Sequence, residues 1–183
     1  MKLSSQEEIT AINNIDNNDT KRAILEHIYN NPGIRYKELL RLTRLKNGVL
    51  SYHLTILERL NKIRIDRHNK RVTRYYIVNI PKEESDIIGC FRNIVTRKIA
   101  IFVLRHDLCT FNEIVYHINK APSTVSWHLK RLRDTGILSI IYGENHQFYT
   151  VADRGIISNI LYKYKESFVD KVVNNYTEII EEL

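Results

Sequence analysis

The chain repeats itself, and the repeat limits what it can fold into. Leu50-Ser51-Tyr52-His53-Leu54-Thr55-Ile56-Leu57 returns 75 residues later as Val125-Ser126-Trp127-His128-Leu129-Lys130-Arg131-Leu132. Both stretches read apolar-Ser-aromatic-His-Leu-x-x-Leu. At the same offset Arg22 meets Arg97, Ile24 meets Ile99, Leu39 meets Ile114, Leu57 meets Leu132, Ile63 meets Leu138 and Ile65 meets Ile140. Past the second strand the register slips by one residue, which sets Tyr75-Tyr76 against Phe148-Tyr149; a one-residue difference at a hairpin tip accounts for it. A chain of 183 residues with this pattern is two similar domains rather than one large one. Each is near 60 residues, a size that buries only about 60% of its unfolded surface, so each needs support from its neighbour or from a partner subunit.

The repeated stretch is amphipathic at helical spacing. At 3.6 residues per turn Leu50, Leu54 and Leu57 share one face. Gly48, Tyr52, Thr55 and Arg59 share the other, with Ser51 at its edge. That outer face offers hydroxyls, an aromatic ring and a cation, and it carries no acid. Such a surface suits a phosphate backbone and base edges.

The flanking segments complete a known order of elements. Asp19 or Thr20 caps a helix running to Asn30, with Ala23, Ile24 and Ile28 facing inward, and Asn30-Asn31-Pro32-Gly33 ends it. Ile34 is a short strand. Tyr36 to Thr43 is a second helix burying Leu39 and Leu40. Arg44-Leu45-Lys46 is the turn, and Asn47 caps the third helix, which ends near Asn61. Gly136 stands one place beyond the equivalent position of the second repeat; Gly or Asn there fits a left-handed cap. Lys62 to Asp66 and Val72 to Val78 alternate as strands around a polar tip, Arg67-His68-Asn69-Lys70-Arg71. Helix, strand, helix, turn, helix and basic hairpin make a winged helix-turn-helix. The expected fold is mainly α with small β-hairpin wings (α+β): two tandem winged helix-turn-helix domains plus a C-terminal helix.

Five segments follow. Residues 1–19 are an N-terminal extension, with a short helix over residues 4–13. Residues 20–80 and 95–152 are the two domains. Residues 81–94 are a linker and the start of a long helix from Asp86 to Arg105. Residues 153–183 form a C-terminal helix, in which Ile160, Tyr164, Phe168, Val172, Tyr176 and Ile179 make an apolar seam. A seam of that length pairs with a second chain, giving a homodimer, or folds back across the first repeat.

Charge is unevenly placed. The net charge is +7. Residues 20–80 hold 14 Lys and Arg against 4 acids, a net +10, whereas residues 95–152 hold 7 against 4, a net +3. Concentrated positive charge attracts polyanions and makes binding salt-dependent. The first repeat is therefore expected to carry most of the affinity for double-stranded DNA. The second wing, Gly143-Glu144-Asn145-His146, has no Lys or Arg.

The residues Asn31-Pro32-Gly33-Ile34-Arg35-Tyr36-Lys37-Glu38-Leu39, Leu50-Ser51-Tyr52-His53-Leu54-Thr55-Ile56-Leu57 and Arg74-Tyr75-Tyr76 resemble the archaeal tandem winged-helix transcriptional regulators, relatives of the ArsR-like and MarR-like groups. The resemblance covers about residues 20–151. It implies sequence-specific binding to promoter DNA, usually as a dimer; the alternatives are an architectural DNA binder of low specificity and a protein-interaction winged helix that meets the basal transcription machinery. The second repeat departs from the pattern through its neutral wing and through Trp127 at a DNA-facing position.

In the first domain helix three is expected in the major groove. Asn47 pairs with adenine, Gly48 lets the helix approach, Ser51 and Tyr52 reach phosphates or base edges, and Thr55 offers a methyl and a hydroxyl. Lys46 and Arg59 flank phosphates. Arg67, His68, Lys70, Arg71 and Arg74 reach backbone or minor groove. The counterparts are Ser123, Thr124, Ser126, Trp127, Lys130 and Arg131. Trp127 either stacks on sugar or thymine methyls or makes a protein contact. His53 and His128 are read as packing residues or single hydrogen-bond partners.

Other classes find little footing. The six glycines do not cluster, so no loop cradles phosphates. There is no HExxH and no nucleophile elbow, and the chain is not expected to be an enzyme or to use a cofactor. His106, Cys109 and His117 match no established ligand spacing, so no metal is expected. Cys90 and Cys109 read as reduced and structural, consistent with a cytoplasmic, nucleoid-associated protein. No run of 18 apolar residues spans a membrane, and the start of the chain does not resemble a signal peptide.

Overall fold

Each element of the first repeat has its counterpart in the second, at an offset of 75 residues up to the first wing strand and 74 for the strand that follows. The computed structural model describes residues 19–69, 72–144 and 146–168. The first repeat comprises α1 (Asp19–Asn30), β1 (Ile34–Arg35), α2 (Tyr36–Thr43), α3 (Asn47–Arg59), β2 (Ile63–Asn69) and β3 (Val72–Ile77). After α4 (Lys82–Phe91) come α5 (Ile94–His106), β4 (Cys109–Thr110), α6 (Phe111–Ile118), α7 (Pro122–Asp134), β5 (Leu138–Tyr142) and β6 (Gln147–Val151). The described chain ends with α8 (Arg154–Lys163) and a 3-10 turn over Lys165–Phe168. The fold is α+β, mostly helical with small antiparallel sheets. Two units divide inside α4, one ending at Ser85 and the other starting at Asp86. The expected helix over residues 4–13, the wing positions Lys70, Arg71 and Asn145, the His68 side chain, and the tail positions Val172, Tyr176 and Ile179 lie outside the described residues.

In the first unit the apolar stripe does what its spacing predicts. Leu50, Leu54 and Leu57 of α3 are buried against Ile24, Leu25 and Ile28 of α1 and Leu39 of α2. Leu25, not Ala23, completes the inner face of α1; Ala23 is exposed. The sheet order is β1-β3-β2, with β3 central. Ile34 pairs with Tyr75 across one side of β3, and Ile65 pairs with Tyr75 across the other. Gly33 makes this closure possible. Its φ of +76° is one that side chains resist, and a Cβ there would meet the Tyr76 hydroxyl at 3.0 Å. Gly33 also donates its N–H to the Tyr75 carbonyl at 2.8 Å.

Helix ends repeat as faithfully as helix bodies. Arg44 and Asn119 end α2 and α6 in the left-handed region, at φ 55° and 52°. Asn61 and Gly136 do the same after α3 and α7. Gly136 therefore stands at the equivalent position itself, not one beyond it. The closing bonds match too: Lys62 N–H donates to Leu57 O at 3.0 Å and Ile137 N–H to Leu132 O at 2.9 Å, the long-reach bond of a Schellman cap.

Four expectations are corrected. Ile34 and Cys109 pair with Tyr75 and Tyr149, so Tyr75 corresponds to Tyr149 and Arg74 to Phe148; the slip is one residue, but the pairing with Phe148-Tyr149 was set one place off. The single helix over 86–105 is two helices, because Asn93 turns extended (φ −92°, ψ 121°) and its side chain accepts the Thr96 N–H to cap α5. Helix already begins at Lys82, within the expected linker. The tail is not one unbroken helix: α8 stops at Lys163, and the turn that follows buries Ser167 and Phe168.

That turn is locked into the second unit. The Phe168 ring stands edge-on to Phe91 at 6.1 Å. Arg97, buried, crosses the Phe168 ring at 5.2 Å and donates to the carbonyls of Phe91 and Phe168. Arg92 donates to the Ser167 carbonyl. Ile160 and Phe168, expected on an intermolecular seam, are only 5% and 6% exposed within their own unit. Tyr164 is half-buried.

Candidate nucleic-acid interface

The outer face of α3 is as open as its inner face is closed. Lys46, Asn47, Gly48, Ser51, Tyr52, Thr55 and Arg59 are all exposed. Tyr52 is 64% exposed, and its ring meets His53 edge-on at 5.3 Å. Thr55 returns its hydroxyl proton to the Ser51 carbonyl at 3.0 Å, which leaves its methyl group facing outward. Glu58 is the one acid on the helix, and it is engaged: Arg67 on β2 donates to both its oxygens, at 3.0 and 3.2 Å. This fork ties the base of the wing to α3. The bond to Glu58 also raises the Arg67 pKa.

The head of α3 is built differently from the expectation. Lys46 occupies the N-cap, with no side-chain cap bond, and Asn47 is the first helical residue. The Asn47 carboxamide is held from α2 instead. The Tyr36 hydroxyl donates to Asn47 Oδ1 at 2.8 Å and to the Asn47 carbonyl at 2.9 Å. Sequence reasoning overlooked Tyr36. The available signal was a contrast between repeats, since Phe111 stands at the same place without the hydroxyl.

Arg74 does not belong to the interface. It is 7% exposed and donates to the Gly33 carbonyl at 2.7 Å. Its position in the middle strand turns it toward the β1 turn rather than toward the wing tip.

The second unit offers a weaker face. Ser123, Thr124, Ser126, Trp127 and Lys130 are exposed along α7. Lys130, however, pairs with Asp134 at 2.6 Å. Arg131 is half-buried, donates to the Gly89 carbonyl at 3.2 Å and lies 5.9 Å over the Trp127 ring. Trp127 itself is 56% exposed, and the neighbouring wing strand ends in exposed Ile141 and Tyr142. The pair equivalent to Glu58 and Arg67 is Arg133 and Tyr142, so no such fork braces this wing.

The two motif histidines differ: His53 is half-buried, and its Nδ1 finds no hydrogen-bond partner. His128 is buried, and its Nδ1 meets the Thr96 hydroxyl at 2.7 Å; that hydroxyl also donates to Asn93 Oδ1 at 3.2 Å. Burial lowers the His128 pKa below 6.5, with nearby Arg131 adding to the shift. The loose set His106, Cys109 and His117 does not converge. His106 and His117 flank the Phe102 ring, at 4.3 and 4.2 Å. Burial pushes the Cys109 thiol up to about 11, which keeps it protonated. Among the described residues no group of three or more His, Cys, Asp or Glu is placed to hold a metal ion. No described helix is long and apolar enough to cross a membrane.

Both domains match family models. Residues 18–88 match a model described as an N-terminal HTH domain, and residues 95–139 match the bacterial regulatory protein, arsR family. The chain is similar to an uncharacterized HTH-type transcriptional regulator of Methanocaldococcus jannaschii, 28% identical over 121 residues. That alignment covers 66% of this chain but 30% of the relative's own length. Two solved structures of HlyU from Vibrio cholerae, one of them reduced, align with 45% of this chain at 18% identity. They are covered to 86% and 89%, at TM-scores of 0.40 and 0.41.

Proposed function

We propose that this chain, which carries two helix-turn-helix domains of the kind found in transcriptional regulators, binds double-stranded promoter DNA and reads its sequence chiefly with the first domain. The observation that carries the reading is the outer face of α3. Gly48, Ser51, Tyr52, Thr55 and Arg59 stand clear of the core with no free acid among them, in a segment of net charge +10 from 14 cations and 4 acids. In this reading α3 enters the major groove, Asn47, Ser51, Tyr52 and Thr55 meet base edges or phosphates, and Lys46 and Arg59 neutralise phosphates. The wing cations add backbone contacts. The reading includes a homodimer, because a two-fold symmetric protein meets a two-fold symmetric site.

For the second unit a different partner has support. Its Lys130 is paired, its Arg131 is engaged, and it exposes Trp127 and Tyr142. An aromatic surface whose Lys130 and Arg131 are engaged suits protein better than phosphate, and a component of the basal transcription machinery is the partner this reading assigns.

Selection of random-core duplexes on the purified chain tests the proposal. An enriched motif is expected, and a palindromic motif supports the dimer. Strong retention without a motif would replace the regulator reading with an architectural binder of low specificity. No retention at moderate salt would remove the DNA reading.

A further inference from the structure

The head of the recognition helix carries a polar device that the second unit lacks. Tyr36 opens α2 and Asn47 opens α3. The hydroxyl of one sits 2.8 Å from Oδ1 of the other and 2.9 Å from its carbonyl oxygen. The phenol is not a loose surface group. Its ring is partly buried against the first unit's core and lies 6.5 Å from the Tyr75 ring. Seventy-five residues on stand Phe111, the same ring without the hydroxyl, and Pro122, which has no amide side chain. A partly buried ring is thus common to both units, while the hydroxyl and the carboxamide occur together only where the wing is basic.

We propose that Tyr36 is a positioning residue: it fixes the Asn47 carboxamide as a hydrogen-bond donor toward a base edge, and so sets a preference for guanine or thymine over adenine at one position of the DNA site. This rests on the DNA reading of the first domain proposed above.

The chemistry follows from the two halves of the amide. A carboxamide has one acceptor oxygen and an NH2 with two donors. In the major groove adenine presents an acceptor, N7, beside a donor, N6, and a free asparagine serves both at once. Guanine presents two acceptors, N7 and O6, and thymine presents one, O4. Oδ1, 2.8 Å from the phenol oxygen, is turned back toward α2, and its accepting capacity is partly spent on the proton it shares with the Asn47 carbonyl. The NH2, on an exposed side chain, is the half of the amide left to meet a base. Held in that way, Asn47 has no oxygen to offer the adenine N6 donor and is matched to an edge with acceptors alone, as guanine and thymine present. The side chain is also ordered before DNA arrives, so less rotamer freedom is lost on binding.

The test is a base-by-base competition. The full chain is bound to its selected duplex and to duplexes carrying each of the four bases at each position, at two salt concentrations. Wild type is compared with Tyr36→Phe, Asn47→Ala and the double variant. One position should favour guanine or thymine over adenine by roughly 5-fold in the wild type, the worth of one net hydrogen bond. Tyr36→Phe should abolish that preference, weaken binding to the best duplex roughly 3- to 10-fold and leave the salt slope unchanged. Asn47→Ala should lose the same preference at the same position, and the double variant should match it rather than add to it. A merely structural role for Tyr36 would lower the melting temperature and weaken all duplexes alike. The proposal is overturned if Tyr36→Phe keeps the wild-type base profile, or if the position lost in Asn47→Ala favours adenine in the wild type. Asn47→Ala, an exposed change, keeps the comparison valid should Tyr36→Phe fold poorly. Failure of the wild type to bind any duplex removes the DNA reading, and this proposal with it.

Discussion

Arg74 shows how a basic residue beside a basic wing can have an entirely internal role. Its guanidinium closes the turn before β1 by bonding the Gly33 carbonyl, and Gly33 in turn is pinned beneath the Tyr76 ring. Arg74→Ala should therefore destabilise the first unit by about 1–3 kcal/mol, the range for losing a buried charge-assisted partner. Its effect on DNA affinity, measured well below the melting temperature, should be small. A normal melting curve with lost binding would return Arg74 to the interface. Sequence alone did not separate Arg74 from Arg67. Both follow the alternation of a hairpin, and the sorting comes from a third strand, β1, which is two residues long and covers only one of them. The exposed face of α3 was legible because helical spacing sorts a long element without help. Asn47 was misread as a cap because its partner, Tyr36, comes from another helix.

At the scale of elements, the breaks matter more than the bodies. Apolar periodicity runs straight through Asn93 and through Tyr164, so both neighbouring segments read as single helices. What interrupts them is hydrogen bonding: Asn93 caps α5, and Arg92 and Arg97 hold the carbonyls of the turn after α8. Phe168→Ala should cost the second unit about 3 kcal/mol by removing a buried ring. A drop in melting temperature with unchanged mass in light scattering would fit this placement. Conversion of a dimer to a stable monomer would instead place Phe168 between chains. The contact between α7 and α5 through His128 and Thr96 should respond to acid. Burial lowers the native pKa of His128 below the unfolded 6.5. Its share of stability is thus full above pH 6.5, where both states are neutral. It is lost as pH falls from there through the lowered native value, because the unfolded chain takes the proton more readily. His117, also lowered by burial, acts with the same sign. Melting temperature should fall between pH 7 and pH 5, and His128→Gln should reduce that fall; an identical slope in the variant would refute the assignment.

For the whole molecule, the two repeats share a frame and differ in charge available for contact. Arg59 is exposed with no acid placed against it on the α3 face, whereas Lys130 faces Asp134 at 2.6 Å. Arg59→Ala should weaken all duplexes about equally and reduce the slope of log K against log salt by about 1. Lys130→Ala should change that slope by much less. Equal slopes would mean that both units meet the phosphate backbone alike. The common frame has a practical side as well. From α1 to the first wing strand every element recurs at a spacing of 75 residues, and β6 follows at 74. The units therefore behave as interchangeable sockets. The outer surface of α3 can be transplanted onto α7 by point replacement alone, without inserting or deleting a residue, and restoring one residue at the hairpin tip would let the first wing follow it. On the reading proposed for α3, a graft of that kind would give the chain a second reading head.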